Sequence, residues 1–368
     1  MVTTSTRRVA ALQRTGPLRG AVRYVVRLLR FRGRRPAISY TVGLVERALF
    51  LSGNEAIAHG ARRAGVRFVC GYPGTPATEI VETAAGLDRV EAEWCVNEKV
   101  ALETAAGVSL AGGRALVAMK HVGLNVAADP FMTLSLTGVN AGLVLVSADD
   151  PGMHSSQNEQ DNRALAKFAK IPMLEPADSQ DAYDFVAESF ALSEEFDTPV
   201  MLRLTTRISH GRGRVVRRVP VPAPDLSYER DIDKYVMLPQ NARRRNRLVL
   251  ERLQKLRRRS EESPLNVLEA GTVDFGIIAA GVAYQYAREA FPKAWFLKLG
   301  LSYPLPYEKV VRLYQSVSRV AVVEELDGFI EEQVRALGVP VMGKEAIPAD
   351  GELEIGRASC RERVSECV

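Results

Sequence analysis

Four cysteines are all that the 368 residues contain, and none of Cys70, Cys95, Cys360 and Cys367 forms a C-x-x-C pair. That spacing supports neither a zinc site nor an iron–sulfur cluster, and scattered cysteines suit a reducing cytosol. Electron transfer, if the protein takes part in it, must use a centre outside this chain. No apolar run reaches the roughly 18 to 20 residues that span a bilayer, so a soluble, cytoplasmic protein with no membrane partner is expected. Residues 7–35 hold no acidic side chain, and much of the net charge of +5 lies there and in 243–259. Basic stretches suit nucleic acid or anionic lipid, or else a solvated tail and a charged linker. With no aromatic-interleaved RNA motif and no zinc-finger spacing, the solvated reading is taken and no nucleic-acid partner is expected. An arginine-rich, acid-free start also has the character of an organelle transit peptide, and a mis-called start codon is a further explanation.

What is present is a chain long enough for two cores, at 46% hydrophobic. From Leu51 to about His210, short apolar runs alternate with helical patterns, the signature of a parallel α/β sheet. Strands are expected at 67–70, 115–119, 142–147 and 200–204, and helices at 78–85, 97–111 and 179–196. Residues 211–268 show no clear strand pattern; a proline-rich piece at 219–224 leads into an arginine-rich surface helix. A second α/β pattern follows, with strands at 274–279, 295–297 and 319–323, and no internal repeat. The expected division is a basic extension 1–48, a first domain 49–212, a linker 213–268, a second domain 269–353 and a tail 354–368. Residues 355–364 read like a translated sequencing adapter, so the tail is expected to be an artefact that truncates the gene near Leu353.

Two segments carry candidate chemistry. Gly71-Tyr72-Pro73-Gly74-Thr75-Pro76 follows a strand at the carboxyl edge of the sheet, where ligands of open α/β folds bind. It reads either as a stiff loop presenting the Thr75 hydroxyl or as an ordinary Pro/Gly turn. Asn97 reads as an N-cap, which puts Glu98 in the first turn, either for the helix dipole or for a ligand. Glu103, five residues on, lies roughly 140° around the helix at ~100° per residue, so the two carboxylates do not share a face. His121, Asn125 and His154 each read as cap or turn residues or as ligand contacts at the same edge.

Asn97-Glu98 followed by Ala105-Ala106-Gly107 resembles the pyrimidine-domain helix of thiamine diphosphate enzymes. The runs 119–130 (Met119-Lys120-His121-Val122-Gly123 onward) and 148–161 (Ala148-Asp149-Asp150-Pro151 onward) resemble the alpha subunits of indolepyruvate-type 2-oxoacid:ferredoxin oxidoreductases. Residues 52–58 and 324–333 agree, so the resemblance runs from about Leu51 to Leu353. It implies a thiamin-diphosphate-binding-fold pyrimidine (PYR) domain with a doubly wound parallel sheet, plus a second α/β domain like the transketolase C-terminal domain. It implies oxidative decarboxylation of an aryl 2-oxoacid to the acyl-CoA, with a beta subunit, ferredoxin and coenzyme A as partners. Glu98 would be the residue that hydrogen-bonds N1′ of the aminopyrimidine, with Glu103 as the alternative. His121, Gly123 and Asn125 are assigned to the cofactor; Thr75, His154, Gln157 and Asn158 are assigned to substrate. Related pyruvate enzymes place an arginine near Asp149, so a carboxylate there puts the small-substrate mode in doubt. Magnesium and 4Fe-4S clusters are expected only in a further C-terminal part, leaving this chain inactive alone. A related thiamine enzyme with another 2-oxoacid or a non-oxidative outcome, and a non-catalytic partner subunit of a split enzyme, remain the alternatives.

Overall fold

The computed structural model describes residues 48–356. Residues 1–47 of the basic arm and 357–368 of the tail, with Cys360 and Cys367, lie outside the described residues. The chain begins with β1 (Ala48–Ser52), α1 (Gly53–Arg63), β2 (Phe68–Gly71), α2 (Thr78–Ala85), β3 (Glu91–Trp94), α3 (Glu98–Leu110) and β4 (Ala115–Lys120). Two short helices, α4 (His121–Val126) and α5 (Ala128–Thr137), lead to β5 (Leu143–Asp149) and α6 (Arg163–Ala169). Then come β6 (Met173–Leu174), α7 (Ser179–Phe196), β7 (Val200–Thr205), α8 (Thr206–His210) and β8 (Arg212–Val216). After α9 (Ile232–Tyr235) and α10 (Pro239–Glu262), the order is β9 (Asn266–Glu269), β10 (Gly276–Ala280), α11 (Gly281–Ala290), β11 (Trp295–Leu299) and β12 (Leu301–Tyr303). The chain continues with α12 (Tyr307–Ser316), β13 (Val320–Val323) and α13 (Phe329–Arg335).

A seven-stranded sheet has the order β12-β6-β7-β5-β4-β2-β3 and is parallel except for β12, which runs antiparallel to β6. Its strands are apolar on both faces because helices cover both. Along β4, Ala115, Val117 and Met119 enter one core while Leu116 and Ala118 enter the other, as the period of two requires. The second sheet is β13-β10-β11-β9, with β9 antiparallel, and β1 pairs with β8 in a separate antiparallel ribbon.

Residues 211–268, which show no clear strand pattern in the sequence, contain strand at both ends. β8 lies at the start and β9 at the end. Between them α10 spans 24 residues and turns Arg245, Val249, Arg252 and Leu256 inward. Arg245 donates to the Leu136 carbonyl at 2.7 Å, and Arg252 donates to the Ser135 and Asp197 carbonyls. Their aliphatic stems cover apolar surface while the guanidiniums satisfy carbonyls at the ends of α5 and α7, which is why an arginine-rich helix packs here. Burial drops the Arg252 pKa to about 10.

β12 belongs by sequence to the second α/β pattern, yet it extends the first sheet. The two patterns are also tied by a chain of buried ions. Arg203 on β7 bonds Asp149 at 2.8 Å and Glu175 at 2.6 Å. Arg163 reaches Asp161 at 2.5 Å and, beyond β13, Glu324 at 2.6 Å, with the Phe329 ring 5.2 Å from its guanidinium carbon. All of these charges are nearly or wholly buried. Each is stabilised only because a partner is in place; removing one partner leaves an uncompensated buried charge.

Candidate thiamine-facing site

The carboxyl ends of β2, β4 and β5 bring the predicted residues to one edge. α3 is capped as its sequence suggests: the Asn97 Oδ1 accepts from the Val100 backbone N–H at 2.9 Å. That cap fixes Glu98 in the first turn. Its carboxylate is partly exposed, and among the described residues no hydrogen bond or ion pair engages it. It rests against Gly123 of α4, where a Cβ would come within 2.5 Å of the Glu98 Oε1 and 2.7 Å of its Cγ. Gly123 is therefore a gap shaped by Glu98. Glu103 points elsewhere, exposed and 3.9 Å from Lys99, which itself bonds Asp129 at 2.8 Å.

His121 opens α4 rather than ending a strand. It is completely buried, its Nε2 is 3.1 Å from the Asn158 carbonyl, and its own carbonyl accepts from Gln160 and Asn162. Its ring pins the loop that follows β5. Asn125 faces Gln160, and the two amides exchange hydrogen bonds at 3.0 Å. Asn162 completes the cluster by donating to the Ser147 hydroxyl.

The loop itself is organised by Asp150. Its carboxylate accepts from the Ser155 N–H at 2.9 Å, the Ser156 hydroxyl at 2.5 Å and the Thr206 hydroxyl at 2.8 Å. Burial pushes this carboxyl up, but those hydrogen bonds outweigh burial and hold it below the usual range. His154, Gln157 and Asn158 ride on this loop with exposed side chains, and His154 sits 3.4 Å from Glu352. Thr75 is exposed, and its carbonyl accepts from the Ser155 hydroxyl at 3.3 Å, joining the turn to the loop.

Sequence reasoning missed Lys120, the last residue of β4. Its Nζ donates to the Ser155 carbonyl at 2.8 Å and its stem lies on Gly74. The signal was a lone cation closing an apolar strand. Asp149 does not face the site: it is fully buried, neutralised by Arg203, and burial raises its pKa despite that partner. It therefore presents no repelling charge to an anion at this edge.

A family model described as "Pyruvate flavodoxin/ferredoxin oxidoreductase, thiamine diP-bdg" matches residues 59–242. The chain belongs to this family. It is 44% identical over 326 residues to indolepyruvate oxidoreductase subunit IorA of Archaeoglobus fulgidus, covering 84% of this chain and 52% of that protein. The IorA subunit of Pyrococcus abyssi is likewise 44% identical, over 337 residues, with 85% and 51% covered. The chain thus spans about half the length of the curated relatives it matches. Among solved structures, a 2-oxoglutarate:ferredoxin oxidoreductase from Magnetococcus marinus superposes with TM-score 0.69 at 17% identity, covering 85% of this chain and 64% of that one. A split-gene transketolase gives TM-score 0.53 at 14% identity, with 79% and 86% covered. These two likenesses are of fold. They agree with an α/β thiamin-diphosphate-binding architecture. No helix among the described residues is long and apolar enough to cross a membrane.

Proposed function

We propose that this chain supplies the aminopyrimidine half of a thiamine diphosphate site in a 2-oxoacid:ferredoxin oxidoreductase acting on aryl 2-oxoacids. The observation that carries the reading is the Glu98 carboxylate, without a hydrogen-bond partner among the described residues and held at a capped helix start over Gly123. A free carboxylate at that position fits a heterocycle nitrogen that must receive a proton. Thiamine diphosphate, when bound, supplies the carbanion chemistry. Glu98 holds the proton at N1′. His121 keeps the loop at 157–160 against α4, and Asn125 locks Gln160 beside it; both are positioning roles in this reading. Thr75 and Lys120 sit across the same edge, where the hydroxyl and the ammonium would orient a 2-oxoacid carboxylate, with His154, Gln157 and Asn158 on the facing loop.

Among the described residues no group of three or more His, Cys, Asp or Glu side chains is arranged to hold a metal ion. We assign magnesium, the diphosphate and the iron–sulfur clusters to parts of the enzyme outside this chain, so the chain is inactive alone. A beta subunit, ferredoxin and coenzyme A complete the proposal. The identity of 44% to the IorA subunits favours an aryl substrate over the 2-oxoglutarate of the more distant KorA subunit of Methanothermobacter thermautotrophicus, at 24%. The test is coenzyme A-dependent viologen dye reduction by the assembled enzyme with indolepyruvate, phenylpyruvate, pyruvate and 2-oxoglutarate. Preference for the aryl acids supports the reading. Preference for 2-oxoglutarate, or no thiamine dependence, overturns it.

A further inference from the structure

Cys70 is the third residue of β2, and Cys95 follows the last residue of β3. The two strands are parallel neighbours with Cys70 opposite Glu93, and Cys95 donates its N–H to the Gly71 carbonyl at 2.9 Å. Two residues beyond Glu93, Cys95 returns to the face that Cys70 occupies. Both side chains meet the core under α3 there: the Cys70 thiol donates to the Ala101 carbonyl at 3.2 Å, and Cys95 packs against the same apolar cluster. The two thiols perturb each other's ionisation, as neighbours on one face do. Cys70 is fully buried and Cys95 is partly exposed.

We propose that Cys70 and Cys95 form an oxidisable dithiol that closes to a disulfide beside the candidate site. Cys95, the accessible member, attacks a low-molecular-weight disulfide and takes one half of it as a mixed disulfide, releasing the other half as a thiol. The Cys70 sulfur then attacks the Cys95 sulfur and expels the second half as a thiol. The pair loses two electrons and two protons, and the small disulfide gains them. A bridge needs Cα atoms within about 7 Å, so closure draws Cys95 inward. Cys95 has already left β3, and the bend falls on the exit segment that continues into Asn97 and Glu98. The bridge also ties that segment to the strand that feeds the Thr75 turn.

Burial raises both thiols above their ordinary range, so the reaction is slow at neutral pH and speeds up as pH rises. The test uses the full native chain with oxidised glutathione as the probe, quenched with N-ethylmaleimide and mapped without reduction. Trypsin cuts after Arg67, Arg89 and Lys99, so the two cysteines fall in separate peptides, 68–89 and 90–99. The expected result is a species joining these peptides with two hydrogens fewer, formed faster at mildly alkaline pH and absent in Cys95→Ser. Persistent glutathione on Cys95 with Cys70 free overturns the proposal. So does full alkylation of both after prolonged oxidation.

Discussion

Replacing Gly123 with alanine probes the site at the point where its geometry is tightest. The added Cβ would lie 2.5 Å from the Glu98 Oε1, 2.7 Å from its Cγ and 2.9 Å from its Cδ. Restoring ordinary contact moves the carboxylate by roughly 1 Å. Among the described residues no hydrogen bond holds the Glu98 carboxylate, so it withdraws without dismantling the fold. Alanine in place of glycine within a helix gains about 0.5–1 kcal/mol. Crowding costs about 1–3 kcal/mol, so the net loss of stability is about 0–2.5 kcal/mol. The cost falls instead on the cofactor. Losing a hydrogen bond to a charged group removes about 1.5–3 kcal/mol, a roughly 10- to 150-fold weaker half-saturation for thiamine diphosphate. The assay is cofactor titration of the assembled enzyme's activity, beside urea unfolding of the chain. A variant with wild-type cofactor affinity would refute the packing of Glu98 on Gly123 as a functional contact.

Other expectations follow from the same structure. Arg163→Met leaves Glu324 buried without its arginine and Asp161 with Arg203 at 4.0 Å, and should lower unfolding free energy by about 3–5 kcal/mol in urea titrations; a loss under about 1 kcal/mol would show that the network is dispensable. Lys120→Met should raise the 2-oxoacid KM roughly tenfold, through about 1.4 kcal/mol of lost anion recognition, with little change in melting temperature; an unchanged KM removes Lys120 from substrate binding. Burial lifts the Glu325 carboxyl from 4.5 to about 6. Folding therefore favours its protonated form, and that contribution is complete below about pH 4.5 and lost as pH rises through about 6, a change of about 2 kcal/mol. Glu325→Gln escapes this loss, so its stability relative to the native chain should climb across that window, and a flat difference would contradict the burial argument.

The fold was legible wherever burial left a pattern. β4, β5 and β7 read as strands because both faces are covered, and α2, α3 and α7 read as helices from caps and apolar spacing. β3 escaped because an edge strand of the composition Glu91-Ala92-Glu93-Trp94 faces water on most sides. β8 is hidden by its arginines, which belong to a two-stranded ribbon rather than a core. β12 is three residues between Gly300 and Pro304, too short for any periodicity. At the candidate site, the place of Glu98 in the first turn of α3 was legible through its N-cap Asn97. Arg203 left one clue, a lone cation inside the apolar run Val200-Met201-Leu202-Arg203-Leu204, but its partners Asp149 and Glu175 are distant in sequence. The roles of His121 and Asp150 in holding the loop depend on backbone carbonyls and hydroxyls that only the fold brings together.

Glu98, and not Glu103, is proposed to serve the cofactor. Glu98→Gln and Glu103→Gln should be compared in the assembled enzyme by 2-oxoacid-dependent dye reduction, with unfolding curves confirming intact folds. Glu98→Gln should lose at least ~10²-fold in turnover. Glu103→Gln should change turnover by less than about twofold, since among the described residues it gives up an exposed contact to Lys99. Near-normal turnover in Glu98→Gln, with collapse in Glu103→Gln, would contradict this assignment and move the site one helical face away.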